Sequence, residues 1–183
     1  MHFATPPNPI QGGIEVIGQG LTATYLERDY QPGATVASAE FILVYDIGSS
    51  MRDLSLFAGR GTSNGIALHL IETDARRGGW NVFSDLYISG YGTYTIPVFL
   101  DGTLKVTQPK GARDITFRNV SIFNATSTTF ECWNCINFQW LGGGYWQGAG
   151  TVQTLEVGGP LSTGDMLLIN FAGVPGFWAG SAR

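Results

Sequence analysis

A six-residue pattern of apolar and polar positions recurs along the chain: a large apolar residue, any residue, Asp or Asn, an aliphatic, any residue, an aliphatic. It is clearest as Phe83-Ser84-Asp85-Leu86-Tyr87-Ile88 and returns as Phe117-Arg118-Asn119-Val120-Ser121-Ile122. Met51-Arg52-Asp53-Leu54-Ser55-Leu56 is an earlier copy, Phe138-Gln139-Trp140-Leu141-Gly142-Gly143 a degenerate one, and Leu168-Ile169-Asn170-Phe171-Ala172-Gly173 a fifth. Starts at 51, 83, 117 and 138 are 32, 34 and 21 residues apart. A constant core at unequal intervals predicts a strand that recurs while the connecting loops vary, as in solenoids.

A second strand family alternates with the first. Ile66-Ala67-Leu68-His69-Leu70, Ile96-Pro97-Val98-Phe99-Leu100, Thr128-Thr129-Phe130-Glu131-Cys132 and Val152-Gln153-Thr154-Leu155-Glu156-Val157 each precede a later copy. Strict alternation predicts a coiling chain in which each strand stacks on its own kind one turn later. Because side chains alternate along a strand, positions four and six of the hexapeptide point together into the core. Position one, held by Phe83 and Phe117, falls on the opposite parity and shares it with position three.

Further strands are predicted around Gly18 and Gly20 and, as a continuous apolar run buried on both faces or at an interface, over Phe41-Ile42-Leu43-Val44-Tyr45. Gln31-Pro32-Gly33-Ala34 reads as a turn. Residues 73–79 and 107–113 read as solvated loops, and the glycine-flanked pair Tyr145-Trp146 as part of a flexible one. No stretch predicts a helix longer than one or two turns. Residues 1–11 hold three prolines and no periodicity. They read as an extended arm laid over a neighbouring subunit or particle surface, with the body over 12–183.

On these strands the sequence resembles the right-handed parallel β-helix of the phage tailspike and pectin-lyase-like class. Ile14-Glu15-Val16-Ile17-Gly18-Gln19-Gly20-Leu21-Thr22-Ala23-Thr24-Tyr25-Leu26 is similar to the opening rung of such helices, and Gly61-Thr62-Ser63-Asn64-Gly65-Ile66-Ala67-Leu68 to their turn into a new rung. The resemblance implies an all-β fold: a short right-handed parallel β-helix of about five or six rungs, roughly 25 Å tall at the parallel-strand spacing. It also implies a side-by-side homotrimer and residence in a virion.

Composition narrows the function. Charged residues are 13% of the chain, about half the usual share in a soluble domain, so part of the surface is expected to be covered by other subunits. A net charge of −4 argues against a nucleic-acid partner, which wants a basic stripe. No apolar run is long enough for a membrane-spanning helix. The N-terminus lacks the charged-then-apolar order of a secretion signal, which fits a protein released by lysis.

Asp53, Asp85 and Asn119 share motif position three and are expected to stack. Two carboxylates about 5 Å apart would suit a retaining glycosidase, which makes Asp53 and Asp85 candidate catalytic residues. Beside a turn, however, Asp and Asn more often hydrogen-bond local backbone, and the structural role is preferred. Cys132-Trp133-Asn134-Cys135 is a lone C-x-x-C, and the chain has only His2 and His69 to complete a zinc set. Buried free thiols are expected, with no metal and no cofactor. His69, on an apolar strand, reads as a satisfied core or interface histidine.

Four of the five tryptophans fall in the last third. Trp133, Trp140, Tyr145, Trp146, Phe177 and Trp178 are the candidate interface residues, since exposed aromatics anchor interfaces. The expected function is a non-enzymatic structural protein of a phage virion: a trimeric knob that decorates or cements a capsid, or a spike component, contacting other virion proteins. The alternative is a tailspike fragment that binds or depolymerises a host surface glycan. A pectate-lyase-like enzyme would want a Ca²⁺-binding carboxylate cluster, which the sequence does not display.

Overall fold

The structure is a computed structural model that describes residues 1–31, 40–45, 48–71, 79–101, 113–123, 125–133, 136–146, 153–158, 163–169, 172–173 and 178–180. Among them no helix forms, and every strand pairing is parallel. The strands are β1 (His2–Phe3), β2 (Glu15–Ile17), β3 (Tyr25–Arg28), β4 (Glu40–Tyr45), β5 (Ser50–Ala58), β6 (Ile66–Ile71), β7 (Val82–Gly90), β8 (Ile96–Asp101), β9 (Arg113–Phe123), β10 (Thr128–Trp133), β11 (Ile136–Trp146), β12 (Gln153–Gly158), β13 (Thr163–Ile169), β14 (Ala172–Gly173) and β15 (Trp178–Gly180).

From β4 to β13 odd and even strands belong to different sheets. One sheet runs β1-β3-β5-β7-β9-β11-β13, with β2 also on β5 and β14 on β11; the other runs β15-β12-β10-β8-β6-β4. A chain that alternates between two parallel sheets and returns each time beside its previous pass is a coil. This topology fits the parallel β-helix that the resemblance implies.

The core is a set of columns along the coil. Met51, Phe83, Phe117 and Trp140 stack in register, and their rings lie face to face at 5.4 Å for Phe83–Phe117 and 4.8 Å for Phe117–Trp140. Leu54, Leu86 and Val120 form a second column, and Leu56, Ile88 and Ile122 a third. From the other sheet come Ile42, Leu68, Val98 and Phe130, and beside them Val44, Leu70, Leu100 and Cys132. All of these side chains are buried.

The parity expected for the hexapeptide is corrected here. Positions one, four and six all face inward, and position three does not. Asp53, Asp85 and Asn119 carry φ values of 58°, 51° and 50°, so a left-handed residue interrupts each strand at motif position three. The register agrees: Arg52 pairs with Ser84 and Leu54 with Leu86, while the residues between them are unpaired. A single left-handed residue turns the chain and inverts the alternation beyond it. That is how an apolar position one and an apolar position four, three residues apart, both reach the core.

The fourth copy also starts later than its pattern suggests. Trp140, not Phe138, pairs with Phe117, and Gly143 pairs with Val120. Gly142 and Gly143 (φ 75° and 83°) take the corner in place of an Asp or Asn. A Cβ on Gly143 would lie 2.2 Å from the Val120 carbonyl oxygen, so only glycine fits. The glycine run and Tyr145-Trp146 therefore belong to strand β11 rather than to a loop. The fifth copy is in frame, with Leu168 on Trp140.

The expected arm lies on its own chain. His2 and Phe3 pair with Glu27 and Arg28, Ile10 bridges to Val44, and the Phe3 ring meets Phe41 edge-on at 5.6 Å. Cys132 is buried but disulfide-bonded, which corrects the free-thiol expectation; Cys135 lies outside the described residues. The predicted turn at 31–34 and the loops at 73–79 and 107–113 also fall largely outside them.

Candidate interaction surface

The outward corners hold the candidate catalytic carboxylates Asp53 and Asp85. Asn119 Nδ2 donates to Asp85 Oδ1 at 2.7 Å. Asp53 Oδ2 accepts from Arg52 at 2.8 Å, and Arg52 also donates to Glu15 at 3.0 Å. Those two bonds, Glu15 first, raise the Arg52 pKa above its usual value. Each carboxylate thus has a polar partner on an outward corner, where Asp and Asn are favoured because they tolerate left-handed backbone. Asp85→Asn is expected to leave the stability within about 0.5 kcal/mol of wild type, since the amide oxygen still accepts from Asn119. Asp85→Ala loses that bond and meets left-handed strain, and should cost about 1–2 kcal/mol. Denaturant melts of the two variants check this.

On the six-stranded sheet, the side opposite the core carries His69, Phe99 and Glu131 in one column and Asp101 and Trp133 in the next. His69 stacks on Phe99 at 5.0 Å and approaches Asp101 at 3.4 Å between Nε2 and Oδ2. Both residues are buried, as expected of a satisfied histidine. Trp133, half-buried, donates its indole N–H to Glu131 at 3.3 Å.

A buried cation sits near the first turns. Arg28 is fully buried, donates to the carbonyls of Asn64 at 2.9 Å and Thr93 at 3.1 Å, and lies 4.6 Å from the centre of the Tyr94 ring. Burial lowers the Arg28 pKa and raises that of the Tyr94 phenol. The guanidinium ties together strand β3 and two later loops.

The exposed surface is where the structure departs furthest from the tryptophan-based expectation. Trp140 is 1% exposed and stacked on Phe117, which takes it out of the surface set: its strand position is inward. Tyr145 and Trp146 lie in β11 and Trp178 in β15, but their side chains and all of Phe177 fall outside the described residues. Trp80, absent from the expected set, is 55% exposed. It occupies a second corner that the pairing aligns with Gly48, Asp114 and Asn137. The φ values there are 78° for Gly48, 49° for Trp80, 51° for Asp114 and 52° for Asn137. A bulky aromatic in left-handed backbone costs about 1 kcal/mol or more. The outward residues Ile17 and Val82 and the neighbouring Ile14 are exposed as well.

Beyond the first corner, the outer face carries a row of rings across successive turns. Tyr25 meets Phe57 edge-on at 5.8 Å, and Phe57 meets Tyr91 at 5.3 Å. Tyr91 is 69% exposed and carries the Arg60 guanidinium 4.5 Å above its ring. Tyr87 and Phe123, half-buried, continue the aromatic surface at 5.3 Å from each other.

The pairing of β1 with β3 assembles one more group that the sequence does not announce. His2, Glu27 and Asp29 offer donor atoms all within 4.8 Å of one another. The expectation of no metal considered the histidines only as partners for the cysteines; residues 25 and 27 positions from His2 meet it only through strand register.

No known protein family matches the chain, and no curated protein does. Among solved structures, it has a weak likeness to ORF18 of Geobacillus virus E2, at 11% identity and a TM-score of 0.17, covering 91% of this chain. The chain spans about half the length of that protein, 50% of which is covered.

Proposed function

We propose that the chain is a short right-handed parallel β-helix acting as a non-enzymatic structural protein of a phage virion, a trimeric knob that docks through its outer aromatic surface. One observation carries this reading. Among the described residues, the candidate carboxylates Asp53 and Asp85 are engaged and His69 is buried, while Trp80 and Tyr91 stand exposed. An indole that is both exposed and held in left-handed backbone is costly to an isolated chain, and burial against a partner offsets that cost. Low charge content supports the same reading.

The assembly is tested by light scattering at micromolar concentration, where three times 19.7 kDa is expected and a clean monomer would refute the trimer. The location is tested by a mass-spectrometric copy count in purified particles: hundreds of copies mark a capsid protein, a dozen or two a tail component. Trp80→Asn separates assembly from folding. Asn suits left-handed backbone, so the subunit should melt at the wild-type temperature or slightly above. Loss of a central indole should weaken self-association about 30-fold or more. Unchanged association would remove Trp80 from the contact.

The row Tyr25, Phe57 and Tyr91 favours a second reading, a spike fragment that binds host polysaccharide, because exposed rings with a polar rim stack on sugar faces. Glycan binding that Tyr91→Ala abolishes while the trimer persists would select it.

A further inference from the structure

We propose that His2, Glu27 and Asp29 form a binding site for a divalent transition-metal ion of the zinc class. The placement comes from the sheet. His2 is the register partner of Glu27, and Glu27 and Asp29, two residues apart, share one face. His2 Nδ1 lies 2.8 Å from Asp29 Oδ2 and 3.2 Å from Glu27 Oε2. Zinc-class bonds to imidazole nitrogen and carboxylate oxygen are about 2.0–2.2 Å, so neighbouring ligands around one ion sit about 2.9–3.4 Å apart. The two separations at His2 are close to that spacing before any side chain moves.

Two further observations support a cation there. In the next turn, the residue level with Asp29 is Gly59, and a Cβ on it would lie 2.3 Å from Asp29 Oδ1 and 3.2 Å from Glu27 Oε1. The carboxylates therefore lean over a position with no side chain, in space that any other residue would occupy. Arg60, the next residue and a ready counter-ion, sits over Tyr91. With neutral imidazole the donor set carries two negative charges, which a divalent ion balances. The three protein ligands leave at least one position for water. The mixed nitrogen and oxygen set favours a zinc-class ion over Ca²⁺, which takes six to eight oxygens at longer distances. Bound metal would fasten β1 to β3.

The test is calorimetric titration of chelator-treated full chain, tagged only at its C-terminus, with ZnCl₂ alone and with CaCl₂ alone. One Zn²⁺ per chain at micromolar dissociation constant is expected, with Ca²⁺ at least tenfold weaker. His2→Ala and Asp29→Asn, both at exposed positions, should each weaken Zn²⁺ binding tenfold or more. Saturating Zn²⁺ should raise the melting point of the wild type and not of the variants. Absence of Zn²⁺ binding would overturn the proposal and leave the group as an ion pair of His2 with its carboxylates. Binding that survives both substitutions would overturn it too.

Discussion

Leu86→Asp should yield no folded protein. Leu86 is fully buried between Leu54 and Val120 in the same column. Burying a leucine contributes about 1.5–3 kcal/mol, and that is the smaller part of the loss. The substituted carboxylate has aliphatic side chains above and below it in the column, so it must enter as an unpaired charge or bind a proton at a cost of several kcal/mol. Domain stability is about 5–15 kcal/mol, and a break in the middle of a stack also uncouples the turns on either side. The expected readout is insoluble product, or a circular dichroism spectrum without a cooperative melt. Leu86→Val, which removes about one methylene, should fold with a loss of about 1 kcal/mol. A cooperative, near-wild-type melt for Leu86→Asp would mean that this column does not face the core.

Deletion of residues 1–10 should lower the melting point substantially. The segment supplies the His2 and Phe3 pairings to β3 and the bridge from Ile10 to Val44. The amides of Glu27 and Asp29 donate to the carbonyls of Met1 and Phe3 at 2.8 Å each. Phe3 and Ile10 are partly buried against the core, and Phe3 covers Phe41. Uncovering the buried Phe41 and leaving β3 without the carbonyls that accept from its two amides is expected to cost the body about 3 kcal/mol. For a chain of this size that corresponds to roughly 6–12 °C. An unchanged melting curve would return the segment to the role of an arm that serves other subunits.

The two strand families were legible because each recurs as a short apolar-rich run bounded by turn residues, which local sequence carries. Ile66-Ala67-Leu68-His69-Leu70 and Ile96-Pro97-Val98-Phe99-Leu100 fall on β6 and β8 to within one residue at their C-terminal ends. Parity across the corner was not legible, because backbone handedness at Asp85 is no part of a hydrophobic pattern, although a recurrent Asp or Asn was its trace. The fourth copy was misframed for a related reason: its corner is built of glycines, which match no polar position. Surface aromatics were harder still. Trp140 and Trp80 are the same residue type, and only register places one in a stack and the other on a corner. The His2, Glu27 and Asp29 group depends on a pairing between strands more than twenty residues apart, which no local rule reveals.

The left-handed corners have a consequence for how the molecule's shape is written in its sequence. With Asp85 deleted on paper, Phe83, Leu86 and Ile88 fall inside and Ser84 and Tyr87 outside, in unbroken alternation; the same holds for Asn119 in its copy. The corner residue therefore adds nothing to the inside–outside code and everything to curvature. Burial and bending are separate instructions, carried by different positions, and at each of the two corners one left-handed position per turn carries the bend. Excising Asp53, Asp85, Asn119 and Gly142 together would leave the hydrophobic message intact while straightening one wall of the coil. Changing corner residues alone should alter the cross-section of the fold without rewriting its core.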